Sequence, residues 1–182
     1  MLLALMLTAC GAPPNKEMDQ AQGAIDAARA AGADQYAVTE YRAATDSLKR
    51  SQDAVTQGDY RLALNEALDS REHAQNAARE AADTKALRRG EVEREMAQIA
   101  GLMAQANTRL AAATKTRVQR RVLDGAREEL AAVDVSVQKA GEAMKTGDYL
   151  AAQAALKGVQ DRITGALTAL EPPAAQSSRR AR

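Results

Sequence analysis

The side chains able to do chemistry are few in this sequence of 182 residues, and they do not converge. The only histidine, His73, lies among Arg71, Glu72 and Gln75 in a stretch that reads as helix. A general base needs a nucleophile in reach and a third group to orient it, and neither is close in the pattern. His73 also fails as a ligand of a helical di-metal site, because the Glu-x-x-His signature needs a glutamate where Ser70 stands. It reads as a surface histidine. Carboxylates cluster at Glu128-Glu129 and at Glu91, Glu93 and Glu95. Adjacent or alternating positions on a helix point in different directions, so these are solvated faces rather than a paired acid and base. Cys10, the one cysteine, excludes an internal disulfide, and with one histidine it leaves no thiol–imidazole metal cage. No catalytic residue, metal site or cofactor is expected.

Charge narrows the partners. The chain carries 25 basic and 24 acidic residues, a net +1, spread along every helical stretch. This suits solvated faces with opposite charges one turn apart. A nucleic-acid binder would show a basic stripe and stacking aromatics, so no nucleic-acid partner is expected. Arg179, Arg180 and Arg182 end the chain in a short basic tail. They could make a weak contact with an anionic polymer or lipid, at about 1 kcal/mol per charge near a membrane surface.

Residues 1–10 read Met-Leu-Leu-Ala-Leu-Met-Leu-Thr-Ala-Cys, and Gly11 follows. This resembles the end of a bacterial lipoprotein signal peptide, with Leu7-Thr8-Ala9-Cys10 matching the lipobox. The resemblance implies cleavage before Cys10 and a lipid on Cys10, at roughly 0.8 kcal/mol per buried methylene. The apolar run is short and lacks a basic start, so the leader is read as truncated. No other stretch is long and apolar enough to span a bilayer. Gly11 and Ala12, with no Asp directly after the cysteine, resemble the case that permits transfer to the outer membrane.

The elements that must carry these residues are helices. Two copies of one tripeptide, Gly58-Asp59-Tyr60 and Gly147-Asp148-Tyr149, each lie between long amphipathic stretches. Glycine adopts the left-handed conformation past a helix end, and aspartate caps the helix that follows. Tyrosine brings an apolar body able to pack across the corner. Each tripeptide reads as a turn folding one helix back on another. Placing Gly58 on Gly147 also aligns Glu40 with Glu129, Ser47 with Ser136, Ala63 with Ala152 and Ala77 with Ala166. The apolar residues before and after both turns step by threes and fours, so the chain reads as a duplicated helical hairpin.

In chain order, Met18, Ala21, Ile25 and Ala28 mark a first helix closed by Ala31-Gly32, and a second, capped by Asp34 or Thr39, runs to Gln57. A third starts at Asp59. Val92, Met96, Ile99, Met103, Ala106, Leu110 and Ala113 continue it with a heptad rhythm. That rhythm predicts continuity or a mild bend through Gly90, the heptad stripe being either core or an open docking face. Thr114-Lys115-Thr116 is the expected loop into a fourth helix, and Pro172-Pro173 stops a fifth.

Met18-Asp19-Gln20-Ala21, Ile25 to Ala33, Tyr36-Ala37 and Gly58-Asp59-Tyr60 with Ala63 and Ala67 together resemble a bacterial lipoprotein domain of unknown function, number forty-three ninety-eight. The resemblance covers roughly residues 13–85. It implies a helical, lipobox-bearing protein and supplies no activity.

Alanine carries much of the 46% hydrophobic content, and Phe and Trp are absent. Such a core lets helices approach closely but buries little area per residue. The expectation is an all-α fold of elongated antiparallel, coiled-coil-like hairpins or bundles with about five helices. Residues 1–9 are read as leader, 10–16 as tether, 17–87 and 91–171 as the two bundles, and 172–182 as a disordered basic tail. The function expected is a non-enzymatic spacer or docking scaffold. It would hang from the periplasmic face of the outer membrane by acylated Cys10 and meet a protein partner of the envelope. The alternative is a soluble coiled-coil adaptor without an anchor.

Overall fold

The computed structural model describes residues 12–116 and 118–171. The leader, Cys10, Gly11, Arg117 and the tail 172–182 with Arg179, Arg180 and Arg182 lie outside the described residues. Among the described residues the protein is all-α, without a strand. The helices are α1 (Asn15–Ala30), α2 (Ala33–Tyr36), α3 (Val38–Thr56), α4 (Tyr60–Ala113), α5 (Arg120–Thr146), α6 (Tyr149–Leu156) and α7 (Val159–Ala169). The chain divides between Ala86 and Leu87 into two compact units.

The first unit holds α1 to α3 and the first part of α4. Its centre is made of Ala21, Ile25, Ala28, Ala44, Leu48, Ala74, Ala77 and Ala81, closed at one end by Tyr36. Because alanine keeps side chains short, the backbones of α3 and α4 approach closely. The hydroxyls on that seam then reach the other helix. Ser51 Oγ donates to the Ala63 carbonyl, and Ser70 Oγ to the Ala44 carbonyl, each at 2.7 Å. Both serines are buried, and each hydroxyl has its acceptor, which removes the cost of placing a polar group there. Positions on α3 fall as those on α4 rise, so the two helices are antiparallel. α1 runs the other way, alongside α4: Arg71 donates to Gln20 at 2.8 Å, and Lys85 covers Gly32 further on.

The second unit repeats this arrangement with the second part of α4, then α5, then α6 and α7. Its core joins Val92, Ile99, Ala106 and Ala113 to Leu123, Leu130, Val133, Leu156, Val159 and Ile163. Gln160 donates to Gln98 at 3.2 Å and Arg109 to Glu171 at 3.2 Å, each pair 62 residues apart, which sets α4 parallel to α7. Arg162 on α7 meets Glu129 at 2.9 Å, and α5 runs antiparallel to both. In both units the first and third rods are parallel and the middle rod reverses. The heptad stripe of residues 92–113 is therefore core and not an open docking face.

Ala37, with φ −141° and ψ 49°, leaves the helical region, so α3 begins at Val38, next to the later of the two starts expected for the second helix, and Asp34 falls in the short α2. The fifth expected helix is broken at Lys157-Gly158, where Gly158 takes φ 75° and lets the chain restart as α7. Through Gly90, by contrast, α4 is continuous.

Glycine should be indispensable where φ is positive and dispensable inside a helix. Gly58→Ala and Gly147→Ala are each expected to lower stability by about 1–2 kcal/mol, the cost of a left-handed non-glycine residue. Gly101→Ala, helical and with open space for a Cβ, is expected to raise it by about 0.5–1 kcal/mol. Urea denaturation of the three variants measures both signs.

Candidate functional site

The two Gly-Asp-Tyr corners have the same geometry. Gly58 has φ 77° and Gly147 φ 76°. The Gly58 N–H donates to the Val55 carbonyl at 3.0 Å and the Asp59 N–H to the Ala54 carbonyl at 3.0 Å. At the second corner Gly147 donates to Met144 at 3.2 Å and Asp148 to Ala143 at 3.0 Å. Both are paired bonds of the Schellman type, which satisfy the last free carbonyls of a helix. The aspartates then open the next helix: Asp59 Oδ1 accepts from the Leu62 N–H and Asp148 Oδ1 from the Ala151 N–H, each at 2.9 Å. A carboxylate there also suits the positive end of the helix dipole. Tyr60 and Tyr149 are half-buried beside their corners.

His73 does not stand alone. Its Nδ1 lies 2.8 Å from Glu40 Oε2 across the α3–α4 seam, with both side chains partly exposed. The pair joins α3 to α4. The acidic residues are likewise distributed. Glu91 pairs with Arg88 at 3.0 Å, Glu93 with Arg89 at 2.7 Å, and Glu129 with Arg162. The hydrogen bond that Arg89 donates to the Glu93 carboxylate raises the Arg89 pKa above its usual value, so Arg89 keeps its charge. Among the described residues no group of three or more His, Cys, Asp or Glu could hold a metal ion.

Two cation–tyrosine contacts escaped the sequence. The Arg29 guanidinium sits 5.7 Å from the Tyr41 ring centre, and its Nε donates to the Tyr41 hydroxyl at 2.7 Å. Lys85 Nζ lies 5.2 Å from the Tyr36 ring centre. Such contacts contribute about 0.5–1 kcal/mol at exposed sites. They fasten the α1–α2 end of the first unit to α3 and α4. A shallow cleft of about 340 Å³ between α5 and α7 is lined by Val122, Gly125, Ala126, Gly165, Ala166 and Ala169, together with Arg121 and Glu129.

Residues 16–94 match the family model described as Domain of unknown function (DUF4398). These residues carry that domain. It starts in the first turn of α1, includes the Gly58 corner, and ends within α4. No curated protein and no solved structure matches the chain.

Because Glu40 and His73 are partly solvated, their coupling should be small. A double-mutant cycle with Glu40→Gln and His73→Ala is expected to give less than about 1 kcal/mol in thermal or urea unfolding. A coupling several times larger would mark the pair as more than a surface clasp.

Proposed function

We propose that this protein is a non-enzymatic scaffold or spacer of the bacterial envelope, held at the periplasmic face of the outer membrane by a lipid on Cys10. The observation that carries the reading is the lipobox-like Leu7-Thr8-Ala9-Cys10, which is followed almost at once by the first helix at Asn15. Two further facts support it. None of the described helices is long and apolar enough to cross a membrane, so the described part relies on another means of attachment. Each described unit is a bundle of three rods in which an aspartate caps a helix, and in the first unit buried serines join two of the rods. Such rods suit spacing or the docking of an envelope protein better than turnover of a substrate. Leu87, Val135 and Leu150 are apolar side chains left exposed on the second unit, where a protein partner could rest.

Metabolic labelling with a clickable fatty acid tests the anchor. The wild-type protein is expected to take up the label and partition with outer membranes, while Cys10→Ser takes up none. Equal labelling of both, or a soluble product that retains Met1, would overturn the reading in favour of an unanchored adaptor.

A further inference from the structure

We infer that the Gly58 end of the α3–α4 hairpin is the face of the first unit that meets the lipid surface. This inference rests on the anchor proposed above and adds an orientation to it. The register of the rods supplies the argument. α1 and α4 are parallel, and Gln20 stands beside Arg71. Stepping back along both helices brings Pro14, the buried residue before α1, to the level of about residue 65 on α4. The Gly58 corner lies beyond that level by about 10 Å at the helical rise of 1.5 Å per residue. Cys10 precedes Pro14 by only Gly11, Ala12 and Pro13. Fully extended, that stretch spans at most about 14 Å. The tether can therefore clear the corner by only a few ångströms along the helix axis, so with the rods upright on the membrane a lipid on Cys10 holds the corner within that distance of the headgroups.

The surface at this end fits such a neighbour. Past the start of α1 the hairpin has only two helices, so α3 and α4 lose the cover that the third rod gives lower down. Leu62, in the first turn of α4, is left 44% exposed, and Val55 on α3 is half-exposed. Lys49, Arg50 and Arg61 are set against Asp53, Asp59 and Glu66, leaving no strong charge of one sign to repel headgroups. Arg50 already pairs with Glu66 at 2.9 Å, and Asp59 caps α4. An apolar side chain among balanced charges suits the boundary between headgroups and acyl chains.

The test uses the full-length lipidated protein in vesicles of phosphatidylethanolamine and phosphatidylglycerol carrying a headgroup nitroxide. A fluorophore is placed on Leu62→Cys or Gln57→Cys at the corner, or on Gln35→Cys in α2, at the opposite end of the unit. Intact mass spectrometry reports whether Cys10 is acylated. With Cys10 acylated, quenching is expected to be several-fold stronger at positions 57 and 62 than at 35. A Gly/Ser insert as long as α1, placed after Cys10, should remove the difference. Equal quenching at the two ends of an acylated protein, or a difference that survives the insert, overturns the orientation and leaves the anchor standing. Absence of the acyl mass overturns both.

Discussion

The reversal of direction at a left-handed glycine is the constraint on which the rest of this protein depends. Without Phe or Trp, and with alanine at most buried positions, no single side chain buries enough area to hold two helices together. Stability has to come from many small contacts along parallel seams. Those contacts form only if the helices are returned alongside one another in register. Gly58 and Gly147 make that return, with paired backbone bonds closing one helix and an aspartate opening the next.

Close approach then decides what can be buried. The α3–α4 seam accepts Ser51 and Ser70 because each hydroxyl finds a carbonyl across the interface. Larger residues in these places would separate the backbones and strand the neighbouring hydroxyls. The second unit solves the same problem with more Leu, Val and Ile, so its centre is oilier, and its one described serine, Ser136, is only partly buried. Both units keep the same order of rods, two parallel and one reversed between them. That shared order, together with the two corners, supports the internal duplication more firmly than scattered alanine identities do.

The corners were legible because they are local: glycine conformation and aspartate capping act within a few residues. The heptad stripe of 92–113 was equally legible as apolar, while its role as core depended on what lay opposite. The break at Gly158 left no such trace. Ala152, Leu156, Val159 and Ile163 keep their spacing of three and four across Gly158, so the stripe reads as one helix. The buried serines were hidden for the opposite reason, since serine in a helix reads as solvent-facing until a carbonyl is placed against it. His73 reads as solvated and partly is, but its Glu40 partner lies 33 residues away and belongs to the tertiary fold. Cys10 is legible in sequence alone.

A distance across each corner tests the back-folded architecture most directly. Spin labels on Thr39 and Gln75, or on Arg127 and Thr164, sit on facing helices of one hairpin. Pulsed electron resonance on the full chain should return short distances for both pairs, set by helix axes about 10 Å apart. Distances near 50 Å, the span of an unbroken helix through either corner, would contradict the account.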